Sequence, residues 1–198
     1  MTTPATARDR AKAERADALL HEAARLFAAR GYSGVSLEDI GTAVGISGPA
    51  VYRHFSGKQA LLGAVLVKVS EQLVSGGTKV AAAPGDAAER MRVLIEFHVD
   101  FALGNADVIR VQDRDLAHLS EEDRAEVRRL QRTYIDLWIA SLKPLHDAPA
   151  DELRLRVQAC FGLINSTPHS TRSHSRSYAS TADILRAMAH AALVASHD

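Results

Sequence analysis

GISGPAVYRHFSGKQAL, Gly45 to Leu61, holds one short helical pattern between two glycine-bearing breaks. Within it only Val51 and Phe55, four apart, have the type and spacing of core residues. Tyr52, Arg53 and His54 lie between them with no apolar face to join. Ser47 is placed to cap this helix, and Pro49 fits its first turn, where a missing N–H is harmless. Ser56 to Lys58, SGK, end it. A helix this short, turning two aromatic rings and an arginine outward, implies a partner other than its own core.

The preceding residues supply the frame. In VSLEDIGTAVGIS, Ser36 stands as an N-cap with Asp39 three positions later, close to a capping box. Leu37, Ile40 and Val44 then line one face before Gly45 breaks the helix. A second helix, a glycine turn and a short third helix match the helix-turn-helix pattern. Ile40, Val44, Ile46, Val51 and Phe55 are placed to hold the pair together, which leaves Pro49, Ala50 and Arg53 on the opposite face. Tyr52 and His54 project from the flanks.

A DNA major groove admits one α-helix and is read by the side chains that helix turns inward. Arg53 has the donors for a bidentate bond to guanine, and Pro49 and Ala50 are small enough to meet thymine methyls. Tyr52, His54 and Lys58 are positioned for phosphates, which fix register rather than sequence. Gly48 allows close approach at the helix start. The alternative reading is an ordinary helical hairpin with a solvated Tyr-Arg-His face.

The whole chain, 198 residues, is long enough for one large domain or two small ones. Its 46% apolar and 24% charged residues are ordinary for a globular protein, and its 5% aromatics beside plentiful alanine and leucine favour helix packing on helix. The formal net charge is zero, so only local charge can argue for nucleic acid. Residues 1–58 carry eight Lys/Arg against six Asp/Glu, and 47–58 carry Arg53 and Lys58 with no acid. One cysteine, Cys160, forms no internal disulfide. The N-terminus lacks the apolar core of a signal peptide, and no apolar run suggests a membrane span of roughly 18 residues. These features predict a cytoplasmic protein.

Helical spacing predicts a first helix over 9–30, closed by Gly31, and a fourth over 58–75 carrying Leu61, Ala64, Val65 and Val69. SGGTKVAAAPGD, Ser75 to Asp86, reads as a linker, with three glycines and a proline. Further helices are expected at about 86–104, 106–117, 121–143, 150–166 and 181–196, the third capped by Ser120 and the last by Ser180. Asn165 to Ser180 reads as a polar loop. Its His169 and His174, with Arg172 and Arg176, read as solvated rather than metal-binding. No strand pattern is found, so the expected class is all-α.

GYSGVSLEDIGTAVGISGPAVYRHFSGKQALLGAVL resembles the DNA-binding region of the TetR family of bacterial transcriptional regulators, over about Leu19 to Leu66. The resemblance rests on FAARGY, the S/T-x-x-D/E-I-A pattern of the second helix, and VYRHF-x-x-K-x-x-LL. Gly41 departs from it where alanine is common, which predicts a looser second helix. The resemblance implies a homodimer with an N-terminal three-helix reader over 1–58 and a linking helix over 58–75. It further implies a helical body over 76–198 that takes a small molecule and dimerises through its last two helices. The DNA-contacting positions then fall on Ser36, Ser47, Gly48, Pro49, Ala50, Tyr52, Arg53, His54 and Lys58. It implies a repressor of a near-palindromic operator, released by an effector, with no cofactor or metal.

In the body, His98 shares a face with Met91, Leu94, Ile95 and Ala102, as a pocket anchor or a core histidine. Tyr134 and Trp138, four apart, either line a pocket or fill a core. Val108 to Leu142 looks like the body of TetR regulators that respond to acyl-coenzyme A thioesters. In that reading Tyr134, Trp138, Phe97 and Phe101 line an acyl tunnel, and Arg110 and Arg114 meet phosphates. Cys160 reads as buried packing rather than a redox sensor. Ile184, Met188, Ala191 and Ala195 form a stripe suited to self-contact, with Phe161 and Ile164 as companions; packing within one subunit is the alternative. An enzyme would have to assemble its catalysis from Asp113, Asp115 and His118, which read better as a solvated helix end. A helical interaction protein is the third class.

Overall fold

The computed structural model describes residues 6–166 and 177–194, and among these the chain is helical with no strand. Among the described residues nine α-helices follow in order: α1 (Ala7–Arg30), α2 (Leu37–Ala43), α3 (Gly48–Val51), α4 (Lys58–Ala81), α5 (Ala87–Gly104), α6 (Ala106–Asp115), α7 (Glu121–Leu142), α8 (Ala150–Asn165) and α9 (Tyr178–Val194). The capping chemistry expected from sequence starts α2, where the Asp39 amide donates to Ser36 Oγ at 3.0 Å and the Ser36 amide to Asp39 at 2.8 Å. Ser120 caps α7 through its side chain alone, which accepts from the Asp123 amide at 3.0 Å. At α9 the cap is Ser177, which accepts from the Ser180 amide, so the helix starts before the Ser180 expected for that role.

Two apolar cores organise the chain. The first joins Leu19, Ala23 and Phe27 of α1 to Ile40, Val51, Leu61, Leu62 and Leu66, all fully buried. Val108 and Val111 of α6 complete it, so α6 packs on α1 although α1 ends at Arg30 and α6 begins only at Ala106. The second core runs through α5, α7, α8 and α9, around Trp138, Met91, Leu94, Leu142 and Leu153.

The linker expected from Ser75 is helix instead. α4 continues to Ala81, and the glycines that suggested a break are sites of close approach. A Cβ on Gly76 would collide with the far edge of the Phe97 ring, and one on Gly77 would lie 2.6 Å from Tyr134 Cε2. The missing side chains let α5 and α7 press against α4. The helix also has an 18-residue window of mean hydropathy 1.2, so by length and composition it reaches what a membrane span needs, contrary to expectation. Here it packs along α1, α5 and α7.

Candidate nucleic-acid interface and ligand cavity

The turn between α2 and α3 is made by Gly45 at φ 73°, in the left-handed region that favours glycine. The Ile46 amide then donates back to the Gly41 carbonyl at 2.9 Å. Gly41 does not loosen α2. A Cβ there would sit 2.9 Å from Val51 Cγ2, so glycine seats α3 close against α2. Ile40 and Val51 are fully buried, with Val44, Ile46 and Phe55 packed partly around them, as the spacing predicts.

The α-helical part of α3 is only four residues long, continued to Phe55 by turns. Ser47 caps it through its carbonyl, which accepts from Ala50 and Val51, and its hydroxyl makes no capping bond. Ser47, Pro49, Tyr52 and Arg53 are exposed, Tyr52 by 56%. Ser36, Gly48, Ala50 and His54 are half-buried. Glu38 lies against Gly48, so the glycine makes room for a side chain. Lys58 differs from its expected role: its ammonium donates to the carbonyls of Tyr32 and Val35, both at 2.9 Å, and sits 4.4 Å from the Tyr32 ring centroid. Two of its three protons hold the loop ahead of α2, and only the third is left for a phosphate.

A cavity of about 220 Å³ opens in the body between α4, α5, α6, α7 and α8. Leu73, Leu130, Ile135 and the rings of Tyr134 and Phe161 form its apolar wall. Ser70, His98, Gln112, Gln131 and Asn165 supply its polar atoms. Among the described residues, no Asp, Glu, Lys or Arg lines it. His98 and Tyr134 are therefore where a pocket reading needs them. Trp138 stands behind them, fully buried, its ring edge-on to His98 at 5.6 Å between centroids.

Other expectations are corrected. Phe97 packs into the Gly76 notch beside Phe101, and neither lines the cavity. Arg114 is at the other end of its helix turn, donating to the Phe27 and Ala28 carbonyls that end α1 and pairing with buried Asp115 at 3.0 Å. Arg110 pairs with Asp107 at 3.0 Å. Phe161, expected on a subunit face, stacks on His98 with centroids 4.5 Å apart, and Ile164 is fully buried in the same chain. Ser70, Gln112, Gln131 and Asn165 carried no sequence signal, because each sits singly on a different helix.

Burial drives the His98 imidazole down from its ordinary 6.5 to about 4, opposed by the Asn165 amide. Its Nδ1 lies 3.2 Å from the Tyr134 hydroxyl; Nε2 completes no hydrogen bond, although the Asn165 side chain stands near enough to act on the ring's charge. Burial likewise raises Tyr134, and it pushes the Cys160 thiol up to about 12, which fits packing rather than redox chemistry. Since the folded chain refuses a proton that the unfolded chain accepts, His98 favours folding fully above pH 6.5. That contribution is lost as pH falls toward 4, by roughly 3 kcal/mol in all. Urea melts across pH 7 to 4.5 should show this slope in the wild type and a flatter one in His98→Phe. Equal slopes would remove His98 as the cause.

On α9, Ala182, Leu185, Ala189 and Leu193 face the core, while Ile184, Met188 and Ala191 are exposed, Met188 by 49%. Ala195 lies outside the described residues, as do His169, Arg172, His174 and Arg176. On α8 the exposed Leu155, Ala159 and Gly162 share one face. Among the described residues no cluster of His, Cys, Asp or Glu is arranged for a metal.

Residues 19–65 match the family model of bacterial regulatory proteins, tetR family, and residues 84–169 that of the tetracyclin repressor-like C-terminal domain. The chain belongs to the TetR family. Members of this family are DNA-binding regulators of transcription rather than enzymes. It is 36% identical over 88 residues to the HTH-type transcriptional activator FasR of Mycolicibacterium smegmatis, covering 44% of this chain and 40% of FasR. It is 24% identical over 144 residues to the HTH-type transcriptional repressor KstR2 of Rhodococcus jostii, covering 72% of this chain and 71% of KstR2. The crystal structure of AibR in complex with isovaleryl coenzyme A and operator DNA has the same fold, with TM-score 0.73, 20% identity, and coverage of 88% and 97%. The match thus spans only about two fifths of FasR.

Proposed function

We propose that this TetR-family chain is a ligand-responsive, dimeric transcriptional repressor acting in the cytoplasm on a near-palindromic operator. Residues 1–58 are the reader and residues 76–198 the ligand-binding and dimerising body, with the 58–75 part of α4 linking them. Ser36, Ser47, Gly48, Pro49, Ala50, Tyr52, Arg53, His54 and Lys58 meet the DNA in this reading. The observation that carries it is α6: Gln112 lines the cavity, while Arg114, two residues on, holds the end of α1. A helix turn is stiff, so occupation of the cavity bears directly on the seating of the reader. KstR2 supports repression as the sign of control, and FasR supports the reverse; repression is the reading adopted.

The effector in this reading is a small, apolar molecule. A coenzyme A thioester is the second reading, favoured by the isovaleryl coenzyme A bound to AibR. Arg110 and Arg114 give it no support, since neither lines the cavity and Arg114 is held at the end of α1. The exposed stripe of Ile184, Met188 and Ala191 supports a two-fold contact with a second copy, because small and flexible apolar residues allow close helix approach.

The test is a fluorescence-anisotropy titration against the DNA flanking the chain's own gene, over a salt series, for wild type and Met188→Asp. Wild type should bind that DNA tightly, with affinity falling steeply as salt rises. Met188→Asp, which places a carboxylate in the expected contact, should weaken binding at least tenfold and run as a monomer in sedimentation. No salt-dependent binding to any DNA would end the reading.

A further inference from the structure

The cavity's chemistry narrows its occupant. Its wall offers five apolar or aromatic side chains and, among the described residues, no formal charge. An ionised ligand would surrender its hydration without an opposite charge to meet, which a buried site makes prohibitive. The polar atoms are neutral amides, the hydroxyls of Ser70 and Tyr134, and one imidazole. Ser70 Oγ already donates to the Leu66 carbonyl at 2.8 Å, so its lone pairs remain for a donor. The imidazole is the singular feature: His98 is 97% buried, it forms part of the wall, and its Nε2 is without a partner. A buried polar nitrogen left unmatched is destabilising, and in native folds such an atom is normally satisfied by something.

The pairing at Nδ1 indicates what that something is. The Tyr134 hydroxyl can donate its proton to Nδ1 at 3.2 Å. The imidazole then carries its own proton on Nε2 and requires an acceptor there. Size is bounded as well. An engineered apolar cavity of about 150 Å³ takes benzene, so one of about 220 Å³, which is half open to solvent, seats a group of roughly nine heavy atoms within its walls.

We propose that the cavity binds a compact, uncharged, mostly apolar group of this size bearing one hydrogen-bond acceptor of the carbonyl type, which pairs with His98. This rests on the ligand-responsive reading above and specifies its effector. The same chemistry is offered by a free neutral carbonyl compound and by the acyl end of a thioester.

Trp138, the chain's one tryptophan, packs against His98 and reports occupancy by its fluorescence. Three probes of nearly equal shape separate the cases: acetophenone, benzoate and cumene, titrated into wild type, His98→Phe and Tyr134→Phe. In wild type, acetophenone should bind about tenfold more tightly than cumene and more tightly than benzoate, the worth of one buried hydrogen bond. In His98→Phe the ketone–hydrocarbon gap should close while cumene still binds; in Tyr134→Phe, whose ring is retained, the gap should shrink. Isovaleryl coenzyme A that displaces acetophenone marks a thioester as the source, and failure to displace it marks a free molecule. Benzoate binding best, cumene matching acetophenone in wild type, a gap that survives His98→Phe, or no binding by any probe would each overturn the proposal. DNA titration of the same samples is read independently. Ligand selectivity without DNA binding would defeat the repressor reading alone, and DNA binding without this selectivity would defeat the ligand assignment alone.

Discussion

Alanine at both Tyr52 and Arg53 should lower affinity for the operator by on the order of a hundredfold while leaving the melting curve in place. The two side chains are exposed and make no contribution to the buried faces of α2 and α3. Surface replacements of this kind change stability by no more than about 0.5 kcal/mol. Their effect on DNA is of another size. A bidentate arginine–guanine pair discriminates by about 1–3 kcal/mol, and loss of a phosphate contact at Tyr52 adds to that. The two losses also differ in kind: Arg53→Ala alone should relax sequence preference at one base pair of each half-site, whereas Tyr52→Ala alone should weaken all sequences alike. Competition between operator and scrambled DNA distinguishes them. If the double variant still prefers its operator, α3 is not the reading element.

The second large effect is on folding. Trp138 is fully buried, and its ring meets Phe161 edge-on at 5.0 Å, His98 at 5.6 Å and Tyr134 at 6.1 Å between centroids. Trp138→Ala removes the largest side chain of the second core and leaves a void beside an existing cavity. The expected loss is about 3–5 kcal/mol, a large part of the stability of a typical domain. Trp138→Phe should be far milder, because its ring refills much of the space and the unpartnered indole N–H disappears with it. Urea unfolding followed by circular dichroism measures both. A loss below about 1 kcal/mol for Trp138→Ala would mean that the surrounding rings collapse into the gap.

The reader was legible in sequence because its determinants are local. Ser36 and Asp39 cap over three residues, Gly45 marks one turn, and Val51 and Phe55 meet over four. The cavity was legible only in part. His98 and Tyr134 stood out as polar-tipped residues on apolar faces, but Ser70, Gln112, Gln131 and Asn165 become neighbours only through tertiary packing. Phe161 and Ile164 were assigned outward although Val157 and Cys160, which share their side of α8, have the spacing of an inward face. Arg114 misled because an arginine in a ligand-binding body suggests an anion, whereas here it satisfies carbonyls at the end of α1. Lys58 misled similarly: sequence shows a charge, not the two carbonyls that hold it.

Gly76 and Gly77 were the clearest misreading, and they carry a consequence for how this gene can drift. Every codon one base away from a glycine codon, other than stop and the synonymous ones, encodes a residue with a Cβ. Neither site has a neutral exit, since the first atom added at Gly76 invades Phe97 and at Gly77 meets Tyr134 and Leu137. Displacing Tyr134 shifts the hydroxyl that lies 3.2 Å from His98 Nδ1. Two positions with no chemistry of their own are thereby tied to whatever molecule the descendants of this chain can sense.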